Sequence, residues 1–283
     1  MRIGLVLSGG MAKGAYQVGV LKAISEYILP QNFSYISSSS VGVLNSYAFV
    51  AGTLDKAEDI WKNLCNNNKR MFVGKLLRSS LLQENIGNIY NESYKFEFPF
   101  FCSLVDFRSK NVVYKDLSIV ESSELLLYLK ASVAMPVYNK VVRINGDLYF
   151  DGAMIDNIPV YPLQNKPLDY IICVYFDNIS YKFENNFFDN RIIKITFPAE
   201  NALRQSAIFS RDNIEKMILS GYERTSFLLD SIFAKGVDNL DCIYSRISEM
   251  NRKSEKGMLR VTGDMVVTNI NRVAKRLLKQ RIV

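Results

Sequence analysis

The chain has 283 residues, 48% of them hydrophobic, a formal net charge of +7 and no histidine. That length and apolar content suffice for a large buried core and predict a single domain over 1–283. The missing imidazole excludes Ser-His-Asp and Cys-His catalysis and histidine-ligated metal sites, so a carboxylate or a lysine must activate any nucleophile.

Residues Ile3 to Leu7 are a short continuous apolar run, the pattern of a strand covered on both faces in a parallel sheet. SGGMAKG follows, and AYQVGVLKAISEYI then places Val18, Leu21, Ile24 and Ile28 on one side of a helix. Strand, glycine loop and helix in succession suit an anion, because N–H groups in the turn and at the helix start lack internal partners. Two nucleotide fingerprints fail on spacing. Met11 stands where G-x-G-x-x-G needs its second glycine, and Ala15-Tyr16 follow Gly14 where the Walker pattern needs Lys-Ser/Thr. Another kind of phosphate loop stays open.

In YISSSSVGVLN a strand at Tyr35 to Ser37 turns sharply into a helix containing Leu44, Ala48 and Val50. A residue at such a corner is exposed above helical N–H groups that can hold negative charge. Of the four serines only Ser40 has a glycine, Gly42, two positions later and a small residue, Ser38, two positions before. Ser40 is therefore the candidate nucleophile; the competing reading is a serine-rich helix cap.

A helix is predicted over Asp55 to Cys65, then a basic helical or broken-helical stretch with Lys69, Arg70, Lys75 and Arg78, either a lid or an ordinary solvated face. Lys95 to Tyr114 predicts two strands with a turn near Arg108 to Asn111, and SSELLLYLKASVAM a helix stopping at Pro136. VVRINGDLYF predicts two strands around an Asn-Gly turn, followed by the loop Asp151-Gly152-Ala153; YIICVYF and RIIKITF are further buried strands. A long helical region is expected after Pro198 through Ala234, and a last helix from about Asp264. In that last segment, 264–283, Val266, Ile270, Val273 and Leu277 share a face while Arg272, Lys275, Arg276, Lys279 and Arg281 cover much of the rest. Such a basic amphipathic helix can lie on an anionic membrane, or pack its stripe on the core. The alternation of strands and helices predicts a three-layer α/β/α fold with a mainly parallel central sheet.

Cys65, Cys102, Cys173 and Cys242 are far apart in sequence and read as reduced thiols in a cytoplasmic protein. MRIGLVLSGG enters a strand at once, with no secretion signal or membrane span evident, and a secretion route without a cleaved signal leaves no trace in sequence. The basic balance suits a peripheral anionic membrane contact better than nucleic acid, since no stacking motif accompanies it. Oligomeric state is not legible.

Gly9-Gly10, Ser40 and Asp151 each follow a predicted strand, and parallel sheets bind ligands at the carboxyl edge of their strands. There Asp151 would take the proton of Ser40 Oγ as it attacks an acyl carbonyl, then activate water to release the acyl-enzyme. An ordinary aspartate, with a pKa of about 4, is a weak base for a hydroxyl. The scheme therefore leans on oxyanion donors worth roughly 3 kcal/mol each. Backbone amides of Gly9, Gly10 and Met11 are the candidates, with Gly14 at the helix start and Lys13 adding positive potential. Read alone, Asp151-Gly152 is also a common tight turn.

These residues, in this order, resemble the patatin-like phospholipase family. LSGGMAKGAYQVGVL is similar to its glycine-rich oxyanion loop, SSSVGVLNS to its Gly-x-Ser-x-Gly elbow, and DGAMIDNIPV to its Asp-Gly-Gly/Ala loop with Asn-x-Pro. ASVAMPVY is similar to the helix end before the aspartate strand, so the motifs lie within residues 1–176. The resemblance implies a patatin-like fold, Ser40 as nucleophile, Asp151 as base, and Gly9, Gly10 and Met11 as the oxyanion loop supported by Lys13, Gly14, Ser38, Gly42 and Gly152. It implies hydrolysis of carboxylic esters in phospholipids, lysophospholipids or other glycerolipids without metal or cofactor. Met11 and Ser38 replace family glycines. A catalytically weakened relative acting as a lipid- or protein-binding module is the alternative.

Overall fold

The structure of the protein is a computed structural model that describes residues 1–64, 71–72, 81–136, 139–177, 180–197, 208–253 and 259–260. Cys65, the basic residues Lys69, Arg70, Lys75 and Arg78, and the segment 264–283 lie outside the described residues.

Strand β1 (Ile3–Leu7) is buried at every position, as its unbroken apolar run requires. The chain turns through Met11–Lys13 into α1 (Gly14–Ser25) and returns as β2 (Phe33–Ser39), α2 (Val41–Val50) and α3 (Leu54–Asn63). β3 (Met71–Phe72) and α4 (Leu81–Ile89) precede the antiparallel pair β4 (Phe100–Asp106) and β5 (Val112–Asp116). α5 (Ser122–Ser132) ends short of Pro136, and β6 (Val142–Ile144) pairs with β7 (Asp147–Asp151) across the Asn-Gly turn. Asn145 and Gly146 have φ of 50° and 86°, the left-handed pair that matches hairpin twist.

β8 (Tyr170–Tyr175), β9 (Lys182–Phe183), α6 (Asn186–Asp189) and β10 (Ile192–Thr196) follow. Of the helical region expected from Pro198 through Ala234, residues 198–207 lie outside the described residues, and α7 (Arg211–Ile232) forms the later part, with Ser210 Oγ accepting the Asn213 N–H as an N-cap. Before it, β11 (Ile208–Phe209) pairs with β3. The sequence pattern assigned nothing between Ala234 and Asp264, yet α8 (Leu240–Lys253) and β12 (Leu259–Arg260) lie there.

The central sheet runs β10-β8-β1-β2-β4-β7-β6, with β5 added to β4. It is mainly parallel: β10, β8, β1, β2 and β4 pair in parallel, while β5, β7 and β6 join antiparallel. One face is thick. Leu5, Leu7, Ile172 and Val174 pack there with Val18 and Leu21 of α1, Leu44 of α2, Leu129 of α5, Ile214 of α7 and Ile243 of α8. The other face, with Val6, Ile171 and Cys173, has a thinner cover from Ile158 to Leu168 and Phe188 of α6. Helices α1 and α7 cross in close contact, since a Cβ at Gly19 or Gly221 would strike the Ile218 or Tyr16 carbonyl.

Pairing along β4 brings distant residues together. Ser103 pairs with Ser39 of β2 and Tyr114 of β5, while the next residue, Leu104, pairs with Asp151 of β7 and Val113 of β5. Because β5 occupies one edge throughout, β2 and β7 share the other edge and approach end to end. The sequence pattern placed Asp151 after a strand of a parallel sheet; β7 is antiparallel to β4. Its carboxyl end nevertheless arrives where β2 ends.

Candidate active site

Ser40 sits between β2 and α2 with φ 53° and ψ −133°, left-handed backbone that is costly outside glycine. Its three serine neighbours anchor that corner. Ser37 Oγ donates to Pro159 O (2.6 Å), Ser39 Oγ to Asp156 O (3.2 Å) while accepting Ser103 Oγ (2.7 Å), and Ser38 Oγ lies 2.7 Å from Ser46 Oγ. Ser40 Oγ alone donates to a carboxylate, Asp151 Oδ2, at 2.6 Å. Gly42 is required by space: a Cβ there would come within 2.7 Å of the Leu7 and Ser8 carbonyl oxygens. Ser38 fits as a fully buried, hydrogen-bonded residue.

Asp151 is 2% exposed. Its Oδ1 accepts the Ala153 N–H at 2.9 Å, and its own N–H donates to Ala134 O at 2.9 Å, tying it to the residues after α5. Gly152 lies flat against Ser103, leaving no room for a Cβ. Burial pushes the Asp151 carboxyl up to about 7, against the opposing hydrogen bonds from Ser40 and Ala153. That value lies in the neutral range suited to general-base work, where the sequence alone implied an ordinary carboxylate.

The glycine loop packs directly on this pair. A Cβ at Gly9 would fall 2.8 Å from Ser40 Cβ and 2.9 Å from Ala153 Cβ, and one at Gly10 would lie 2.5 Å from the Phe176 ring. The Gly9 amide, expected to serve the oxyanion, donates to Asn157 O at 3.2 Å. Gly10 and Met11 amides have no acceptor among the described residues, while Lys13 N–H closes the turn onto Gly10 O at 3.0 Å. Met11 occupies a position with φ 51°, so its side chain sits where a glycine would be relaxed. Lys13 Nζ lies 5.8 Å from the Phe176 ring centroid, and burial lowers its pKa against the pull of Asp177. Gly14 opens α1 against the Trp61 ring, where a Cβ would fall 2.5 Å away.

A buried polar chain behind this loop escaped the sequence pattern. Gln17 Nε2 donates to Ser8 O (2.7 Å), Asn45 Nδ2 to Gly14 O and Gln17 Oε1 (2.9 Å each), and Trp61 Nε1 to Asn45 Oδ1 (3.0 Å). It fastens the glycine loop to the helix that carries Ser40. Its available signal was two amide side chains within otherwise apolar helical faces. No helix among the described residues is long and apolar enough to cross a membrane.

A model of the patatin-like phospholipase family matches residues 5–163, more than half of the chain. Lysophospholipase NTE1 of Cryptococcus neoformans is 24% identical over 231 residues, covering 69% of this chain and 13% of that protein. Lysophospholipase NTE1 of Candida albicans is 22% identical over 186 residues, covering 61% and 13%. The chain thus spans about 13% of the length of these curated relatives. Among solved structures, VipD from Legionella pneumophila aligns with a TM-score of 0.49 and 13% identity over 81% of this chain and 66% of its own. The family match runs from β1 through the glycine loop, the Ser40 corner and the Asp151 turn, and by that extent the chain belongs to the patatin-like phospholipase family.

Proposed function

We propose that this chain is a metal-independent lipid acyl hydrolase that cleaves carboxylic esters of phospholipids or lysophospholipids through Ser40 and Asp151, within one catalytic domain. The observation that carries the reading is the 2.6 Å hydrogen bond from Ser40 Oγ to a buried carboxylate whose pKa is raised to about 7. The names of the curated relatives support an ester-lipid substrate.

Ionised Asp151 takes the Ser40 proton as Oγ adds to the ester carbonyl. The Gly10 and Met11 amides and the start of α1 face the developing oxyanion. Collapse expels the alcohol, which leaves with the proton held by Asp151, and the acyl group stays on Ser40. Asp151 then draws a proton from water, hydroxide attacks the acyl carbonyl, and fatty acid departs as Ser40 regains its proton. Lys13 adds positive potential beside the loop.

Met11 favours the second reading, a binding module without turnover, because a side chain at φ 51° carries backbone strain of about 1 kcal/mol. That strain is already accommodated while the Gly10 and Met11 amides remain unbonded to the described residues, so hydrolysis is the better reading. Fatty-acid release from phospholipid and lysophospholipid vesicles, undiminished by chelator and lost in Ser40→Ala and Asp151→Asn, is the expected result. Wild-type release no faster than that of Ser40→Ala refutes it.

A further inference from the structure

The loop that follows Asp151 carries a second buried carboxylate, Asp156, for which the reaction above has no use. Its Oδ2 accepts the Tyr114 hydroxyl and its Oδ1 accepts Arg260 Nη2, each at 2.6 Å. Burial raises the Asp156 carboxyl, opposed chiefly by the charge of Arg260. The backbone of the same residue works on the site. Asp156 N–H donates to Gly152 O at 2.9 Å, closing the turn that begins at Asp151, and Asp156 O accepts Ser39 Oγ at 3.2 Å, one residue before Ser40. Thus the side chain gripped by Arg260 belongs to the residue whose main chain clasps both halves of the pair.

Arg260 comes from far along the chain. It lies in β12, which pairs in parallel with β9, and Glu184 N–H donates to Arg260 O at 3.1 Å. Its Nη1 is buried without a hydrogen-bond partner among the described residues, so the guanidinium is held through Nη2 by the Asp156 ion pair.

We propose that Arg260, acting through Asp156, is a positioning residue for the Ser40–Asp151 pair. It fixes the loop that follows Asp151, making β12 part of the working site although it touches neither reacting group. The inference rests on the hydrolase reading, and its test separates the two. In the full chain, Arg260→Met is compared with Arg260→Lys, Asp156→Asn and, as a charge-matched control, the exposed Arg252→Met. Amide hydrogen exchange at Ala153, Ile155 and Asp156, and the pH dependence of Ser40 labelling by a fluorophosphonate, are measured in each.

Arg260→Met is expected to speed exchange at those three amides relative to β1 and β8. It should also slow labelling by about 10- to 100-fold through misplacement of the base, with the pH midpoint moving below about 7 as water reaches Asp151. Arg260→Lys should recover much of both, and Arg252→Met should change neither. Asp156→Asn keeps the side-chain shape and carries the test if Arg260→Met does not fold. Unchanged loop exchange and an unchanged midpoint in Arg260→Met and Asp156→Asn overturn the proposal, even if melting temperature falls. Wild-type protein that resists the fluorophosphonate defeats the hydrolase reading. The exchange data then decide alone: acceleration confined to the three amides sustains the positioning role, and its absence ends it.

Discussion

Replacing Asp151 by Asn separates the cost of a buried charge from the packing around it. Asparagine keeps the volume, its Oδ1 can still accept the Ala153 N–H, and its amide can face Ser40 Oγ. In the wild type the folded carboxyl titrates at about 7, whereas in the unfolded chain it titrates near the ordinary value of about 4. The native state therefore binds this proton more tightly, and stability falls as pH rises from about 4 to about 7, then levels off. Three units at about 1.4 kcal/mol each give a penalty of about 4 kcal/mol at pH 8, and about 1–2 kcal/mol at pH 5. The variant has no such titration. Urea unfolding followed by the fluorescence of Trp61, the single tryptophan, should show the variant's advantage growing between those pH values. A pH-independent difference, or a variant less stable than wild type at pH 8, refutes the buried-charge argument. On the proposed mechanism catalysis has the opposite sign: the active form carries ionised Asp151, so wild-type hydrolysis should rise through about pH 7 while the variant stays inactive.

Gly42→Ala would drive a methyl into the Leu7 and Ser8 carbonyls, and should cost about 1–3 kcal/mol in urea unfolding and reduce Ser40 labelling; wild-type values for both would contradict the tight strand–helix contact. Met11→Gly removes the strain at φ 51° but adds chain entropy of about 0.5–1 kcal/mol to the unfolded state, so thermal melting should show stability within about 1 kcal/mol of wild type and fatty-acid release should persist. Loss of release in that variant would mean that the methionine side chain itself is needed. Exchanging Lys275, Arg276 and Lys279 for Glu should weaken co-sedimentation with anionic vesicles, each charge near the surface being worth about 1 kcal/mol; unchanged binding would remove this segment as the membrane contact.

What the sequence made legible follows from local signals. Ile3 to Leu7 and Tyr170 to Tyr175 are apolar without interruption because both faces are covered, and Asn145-Gly146 is a hairpin turn in any context that permits it. Ser40 could be singled out among four serines because Gly42 is forced by two carbonyl oxygens close to its Cα, a constraint that leaves a mark at fixed spacing. Where a contact depends on distant pairing there is no such mark. That the Gly9 amide is spent on Asn157 O, or that Arg260 reaches Asp156, depends on partners whose separation no short motif encodes. The α8 helix was missed for a different reason: only Ile243 and Ile247 of its 14 residues are buried, so its periodic signal is thin.

The base strength of Asp151 belongs to that second class, and it comes from topology. β4 is long enough to pair with β2 through Ser103 and with β7 from Leu104 onward, so two strands of opposite direction end at adjacent rungs. Neither can continue, because each would run into the other. One chain leaves as α2 with Ser40 at its corner, and the other leaves through Gly152 with Asp151 at its last rung. The collision buries the carboxylate, which raises its pKa, and leaves Ser40 Oγ and Ala153 N–H as the donors that hold it. The same end-to-end meeting of β2 and β7 therefore sets both the distance between the two groups and the proton affinity of one of them.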